Sequence, residues 1–196
     1  MRRSRPSILM LAAVLALTGR AGPEGVPTAV GTPEPAPSST PSTSAAPVVP
    51  LVPTGELDPL VTGLSAPWSI APLPTGSILL SERDTARVLE LTPEGELRVV
   101  GTVAGVVPGG EGGLLGIAAR DTGTPYLYVA HTAASDNRIV RFALTGAPGS
   151  YGLGASQVVL AGIPKAGTHN GGRLAFGPDG MLYATTGDAQ QTGLAQ

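Results

Sequence analysis

Two glycine-rich segments stand apart in this sequence: Gly109-Gly110-Glu111-Gly112-Gly113-Leu114-Leu115-Gly116 and Gly167-Thr168-His169-Asn170-Gly171-Gly172-Arg173-Leu174. An imidazole on such a loop is a candidate general base, because its ordinary pKa of about 6.5 suits proton transfer near neutrality. Glycines beside it would let backbone come close to a flat ligand. The same segments also read as sharp turns, with His169 capping a strand end. Other chemistries find little support. The chain has two histidines and no cysteine, so disulfides and thiolate metal sites are excluded. His131 and His169 are spaced unhelpfully for zinc. His131, ending the run Tyr126 to Thr132, reads as structural, and Trp68, the single tryptophan, as core. Asp179, in Pro-Asp-Gly, reads as a turn former. Asp188 fits a loop hydrogen bond or a turn equally well.

Both segments precede short apolar runs, and those runs define the elements that must position them. From Leu57 onward come SILLSE (77–82), RVLELT (87–92), LRVVGTV (97–103), YLYVAHT (126–132), RIVRFAL (138–144), QVVLAGI (157–163) and MLYATTG (181–187). Pro-Thr-Gly, Pro-Glu-Gly, Pro-Gly-Gly and Pro-Asp-Gly separate several of them; Pro presets φ and Gly supplies a positive φ. No apolar period of 3.6 lasts long enough for a three-turn helix. The pattern is all-β. Residues 68–81 align without gaps to 172–185, pairing Ile70 with Leu174, Ala71 with Ala175, Pro74 with Pro178 and Gly76 with Gly180. A looser copy begins near Gly116-Ile117-Ala118. A unit of about 50 residues made of strands suits a four-stranded propeller blade, whereas turn-separated strands alone would also suit a β-sandwich. In that register each glycine segment feeds an inner strand from one rim of the central channel. Residues 57–196 supply about two and a half blades, where closed propellers use about four to eight, so the chain is expected to be a fragment ending mid-blade.

Residues 57–196 resemble the N-terminal part of the glucose/sorbosone dehydrogenases, the soluble PQQ-dependent aldose sugar dehydrogenases. The carrying motifs are Leu64-Ser65-Ala66-Pro67-Trp68-Ser69-Ile70-Ala71, Glu111 to Gly116, and His169-Asn170-Gly171-Gly172-Arg173-Leu174, continued by Phe176-Gly177-Pro178-Asp179-Gly180 and Thr186-Gly187-Asp188. The resemblance implies a partial six-bladed β-propeller that oxidises an aldose at its anomeric carbon, with PQQ and calcium as cofactors. It implies that His169 takes the hydroxyl proton and that Glu111, Thr168 and Asn170 flank the cofactor. Two positions depart from the family. Glucose-oxidising members carry an Asp where Thr168 stands, orienting the imidazole, and members usually carry Gln where Glu111 stands. Those departures favour the alternative of a non-enzymatic binding module at the cell envelope. The family's calcium loop and most of its cationic cofactor contacts come from later blades, so the chain alone is expected to be inactive.

The N-terminus reads as an export signal over residues 1–21: Arg2, Arg3 and Arg5, then the apolar run Ile8–Leu17, then small residues. Leu17-Thr18-Gly19 resembles the approach to a lipoprotein cleavage site, but Arg20 stands where Cys is required, so no thiol-linked lipid anchor is possible. Residues 22–56 form a Pro/Ser/Thr-rich linker expected to be disordered; Gly22 to Thr54 holds nine of the twenty prolines. The protein is therefore expected outside the cytoplasm, whether extracellular, periplasmic or held at the envelope. From Leu57 the chain carries eight Lys/Arg and eleven Asp/Glu. This balance excludes the basic footprint of a nucleic-acid binder, and the family resemblance implies a small-molecule sugar as the partner.

Overall fold

The computed structural model describes residues 52–195. The expected export signal and residues 22–51 of the linker lie outside the described residues. Residues 52–66 carry no strand or helix. Ten strands follow, all antiparallel. One sheet runs in the order β1 (Pro67–Pro72), β2 (Ile78–Glu82), β3 (Arg87–Leu91), β4 (Leu97–Thr102). A second runs β5 (Leu114–Asp121), β6 (Pro125–Thr132), β7 (Asn137–Thr145), β8 (Gly152–Ile163). The hairpin β9 (Gly171–Phe176), β10 (Leu182–Thr186) begins a third. Strands β1, β5 and β9, which carry the repeated sequence unit, are neighbours in space. These are two propeller blades and the inner half of another, as the repeat predicts.

The Pro-x-Gly turns are alike in detail. Leu73, Thr92 and Gly177 each donate N–H to the residue four ahead and accept from the glycine three ahead. Those glycines, Gly76, Gly95 and Gly180, have φ of 91°, 90° and 77°. A turn closed by a left-handed residue is a standard hairpin connection. Pro-Gly-Gly at 108–110 does not join a hairpin and belongs instead to the long β4–β5 connection.

Side chains alternate between two packing layers. Leu114, Ile117, Leu127, Val129 and Val140 of the second blade meet Ala71, Leu79, Val88 and Val100 of the first. Leu115, Ala118, Ala130 and Ile139, on the opposite face of the second blade, meet Leu174 of β9. Each such Leu or Val contributes about 1.5–3 kcal/mol by leaving water. The inner strands approach closely: a Cβ at Gly116 would overlap Gly172 O and come within 2.9 Å of Leu174 N. Trp68 is partly buried against the second layer, with the Arg173 guanidinium 4.4 Å from its ring centre. Ile70, Val99, Val158, Leu160, Met181 and Tyr183 remain exposed on the outer faces among the described residues.

Two carboxylates are buried in the first blade. Glu90, fully buried, accepts from Ser77 Oγ (2.8 Å), Arg98 Nη1 (2.6 Å) and Gly149 N (2.9 Å), the last in the β7–β8 turn of the second blade. Glu82 accepts from Ser65 N, Thr85 Oγ1 and Arg87. Burial by itself would raise both pKa values, but these donors outweigh it and both fall below the ordinary range. A lowered native pKa means that the stabilisation is complete above about pH 4.3, the unfolded glutamate value, and is lost as pH falls below it toward the native value. Resistance to thermal unfolding should accordingly weaken progressively on acidification through that window. Glu90→Ala, which strands Arg98 and two other donors, should cost about 3–5 kcal/mol in urea unfolding; an unchanged midpoint would show that Glu90 does not join the blades.

Candidate active site

Three connections converge at one rim. The β4–β5 connection brings Glu111, the β8–β9 connection brings His169, and the segment after β10 brings Asp188. Their backbones interlock: Glu111 N donates to Gly167 O at 2.8 Å, and Ala189 N donates to His169 O at 3.2 Å. A side chain at Gly187 would overlap His169 O, so only glycine lets the last segment lie this close.

His169 sits at φ 60°. The left-handed region is sparsely populated for residues other than glycine, although His enters it more readily than most. Such conformations cost about 1 kcal/mol or more and persist only where the surroundings enforce them. Here the enforcement is visible. His169 N donates to Glu111 Oε2 at 2.6 Å, its carbonyl is held by Ala189, and its Nδ1 lies 2.8 Å from Asp188 Oδ1. Hydrogen bonding from His169, opposed by burial and aided by the Gln190 N–H, holds the Asp188 carboxyl below the ordinary aspartate range. An ionised carboxylate can only accept, so Nδ1 carries a proton, and in the neutral ring Nε2 keeps its lone pair. The imidazole is 59 % exposed and faces an open cleft of about 610 Å3, lined also by Thr185, Thr186, Gly187 and Leu194.

The remaining expected site residues are placed differently from one another. Glu111 turns its carboxylate to the His169 backbone. Thr168, half-buried, accepts from Gln190 Nε2 at 2.8 Å and does not touch the imidazole. Asn170 is 3 % exposed, and its amide is spent on protein: Oδ1 accepts from Asn137 Nδ2 and Ala166 N, and Nδ2 donates to Ala166 O. It contacts the loop, not the cleft. The glycines expected to give a ligand room make way for backbone in at least two places, Gly110 against Gly167 and Gly116 against β9. His131 is buried in β6, burial lowers its pKa, and its Nδ1 has no hydrogen-bond partner among the described residues. Asp179 is a turn residue, accepting from Met181 N and Tyr183 OH. Asp188 is the residue the sequence left undecided.

The family model for Glucose / Sorbosone dehydrogenase matches residues 64–196. The chain belongs to the glucose/sorbosone dehydrogenase family. Quinoprotein glucose dehydrogenase B of Acinetobacter calcoaceticus is 30 % identical over 149 residues, 69 % of this chain and 31 % of that protein. Among solved structures, the PQQ-bound form of an aldose sugar dehydrogenase from Streptomyces coelicolor is 48 % identical with a TM-score of 0.66, over 71 % of this chain and 43 % of that one. A candidate oxidoreductase (glucose dehydrogenase) from Thermus thermophilus is 41 % identical with a TM-score of 0.63, over 71 % and 42 %. The chain thus spans less than half the length of these relatives. The fold of the glucose/sorbosone dehydrogenase segment is that of its solved counterparts.

The donor set can be weighed against PQQ, the cofactor bound by the Streptomyces coelicolor relative. An exposed imidazole on an open cleft lined by threonine and glycine fits the edge of a flat polar molecule. Cations for its carboxylates are not in the cleft lining, since Lys165 donates to Ala133 O, Arg83 pairs with Asp84 and Arg173 lies over Trp68. Among the described residues no three His, Cys, Asp or Glu side chains gather as a metal-ligand set. The residues present fit the proton-accepting part of the chemistry. Carbon-detected titration should place the Asp188 carboxyl midpoint below the ordinary aspartate value, and His169→Leu should move it upward; coincident curves would show that the pair does not form in solution.

Proposed function

We propose that this segment belongs to an exported PQQ-dependent dehydrogenase that oxidises aldoses at the anomeric carbon, with His169 as the general base. One observation carries the reading: the His169–Asp188 pair, which leaves a lone pair at Nε2 on the open cleft, within a chain of this family. Support for the cofactor comes from the PQQ-bound aldose sugar dehydrogenase at 48 % identity. Export rests on the charged, apolar and small-residue order of residues 1–21. Among the described residues no helix is long and apolar enough to cross a membrane.

The chain's residues act in a simple order. An aldose seated with its C1 hydroxyl on His169 Nε2 gives its proton to that nitrogen. The imidazolium so formed is stabilised by Asp188 through Nδ1. As the proton leaves, the C1–O bond becomes the carbonyl of a lactone and the C1–H bond breaks with its electron pair. PQQ, when bound, supplies the two-electron acceptor for that hydride, which protein side chains cannot. Glu111 and Ala189 keep the histidine backbone fixed while charge builds on the ring. Calcium and the groups that hold the carboxylates of PQQ are assigned to parts of the protein that correspond to the unmatched length of its relatives, so this chain by itself is proposed to be inactive.

Glu111 and Thr168, the features that favour a non-enzymatic binding module, are both taken up by protein contacts and leave the imidazole undisturbed, which supports the redox reading. The test is a chimera in which residues 64–196 replace the matching segment of the Streptomyces coelicolor aldose sugar dehydrogenase. It should reduce dye with aldoses and PQQ, and His169→Gln should lower kcat by about 10²–10⁴-fold, the usual contribution of a general base. A chimera that binds PQQ yet keeps its rate without His169 would sink the assignment, and turnover by the unfused chain would sink the proposed inactivity.

A further inference from the structure

Behind His169 lies a buried chain of side-chain amides that has no part in the chemistry above. Asn137 opens β7 and is 5 % exposed. Its amide group uses both donors and accepts once: Nδ2 donates to Asn170 Oδ1 (2.9 Å) and to Pro164 O (2.8 Å), and Oδ1 accepts from Thr132 Oγ1 (2.7 Å). Thr132, the last residue of β6, is tied through its backbone to Val107 and Gly113 at the two ends of the glycine-rich loop that carries Glu111. Asn170 in turn closes the 166–170 turn on itself, bonding both the N–H and the C=O of Ala166. The three residues between them are Gly167, Thr168 and His169.

We propose that Asn137 is a positioning residue for His169: the Thr132–Asn137–Asn170 chain holds the 166–170 turn in the one shape that presents Nδ1 to Asp188 and Nε2 to the cleft. The argument is one of satisfied polarity. Buried amides are costly unless their groups are paired, and a fully paired network fixes a single geometry. Asn170 alone would shape the turn but not locate it. Asn137 locates it, because it holds the turn at Asn170 and the chain leading into it at Pro164, and is itself fixed by the β6–β7 hairpin, whose pairing runs to Thr132↔Asn137. The left-handed backbone at His169 then has no lower-energy shape to relax into without breaking a buried hydrogen bond. The substitution most disruptive for its size is Asn137→Asp. It keeps the shape but turns a second oxygen toward two acceptors, Pro164 O and Asn170 Oδ1.

The inference rests on the reading of His169 as the base, but its test does not use activity. The chain has two histidines, so long-range 1H–15N spectra of the full chain, labelled at histidine, resolve each ring. At alkaline pH, where the ring is neutral, His169 of the unaltered chain should be protonated at Nδ1. In Asn137→Asp the turn is released, and the ratio of Nδ1-H to Nε2-H forms should fall about tenfold, the effect of about one hydrogen bond, while the amide signals of β1–β4 hold their positions. Should that variant fail to fold, Thr132→Val, which removes only the hydroxyl that orients Asn137, should move the same ratio in the same direction by less. A ratio unchanged in either folded variant overturns the positioning role. It would leave the dehydrogenase reading intact, just as a chimera unable to bind PQQ would overturn that reading and leave the tautomer result standing.

Discussion

Leu114 and Leu115 are adjacent in β5 and point into different packing layers, one toward the first blade and one toward β9. A sheet with both faces apolar must be covered on both, and neighbouring sheets of the same kind satisfy that requirement face to face. The inner strands then line up around a common axis. The distance between β5 and β9 is set by the smallest residues between them, Gly116 and Gly172. This stacking brings the connections before β5 and β9 and after β10 to the same rim. The site is a consequence of how the blades cover one another.

Polar groups tune this arrangement at its margins. Glu90 lies under the first layer yet reaches Gly149 in the second blade, and Tyr151 beside it takes Arg98 on its carbonyl and meets Thr75 with its hydroxyl. At the other rim Ser81 donates to Leu115 O and Ser69 Oγ accepts from Ile117 N. Neighbouring blades are thus joined by hydrogen bonds at both ends and by apolar packing between. Rotating one against the next would break buried bonds at each end, and the loop carrying Glu111 and that carrying His169 therefore share a rigid frame. Rigidity is what lets a histidine be kept in a left-handed conformation with its ring half in solvent.

Much of the fold could be read from the residues. The gapless copy of 68–81 at 172–185 marks β1–β2 and β9–β10, and the turns within them prove to have the same hydrogen bonds, because Pro and Gly fix backbone angles locally. Strand β8 is longer than its apolar run suggested, since Gly152–Ser156 holds one large apolar side chain, Leu153, among small residues, and pairs with β7 while Leu153 packs against the first layer. The site was legible in part. His169 stood out by residue type and by its glycine neighbours. The role of Asn170 was not legible, because an amide beside a histidine gives no sign of whether it faces ligand or protein; that depends on Asn137, 33 residues away. Counting alone would have missed Asp188 by one residue. The hairpin pairs Leu182 with Phe176, a register that sets Asp188 opposite Asn170, and the bulge between Ala184 and Thr186 shifts the pairing to Thr186 with Gly171, which carried on two residues brings Asp188 opposite His169.

That register also accounts for the departure at Thr168. In relatives with an aspartate at that position the imidazole is expected to be oriented from within its own loop. Here the carboxylate arrives from the partner strand of the hairpin, and Thr168 is free to take Gln190 instead. A carboxylate thus stands beside Nδ1, where under the proposed role it would stabilise the cation. The residue before the histidine is therefore a poor indicator of whether the imidazole is supported. Glu111 follows the same logic: its second carboxylate oxygen is fixed on the His169 N–H, a position where Gln could accept equally well through its carbonyl. What the carboxylate adds is a charge facing the same rim, and the nearby Arg83, raised chiefly by its bond to Asp84 and further by Glu111, offsets part of it. Both departures thus bear on which atoms support the histidine, Glu111 through its backbone and Asp188 in place of Thr168 through its ring.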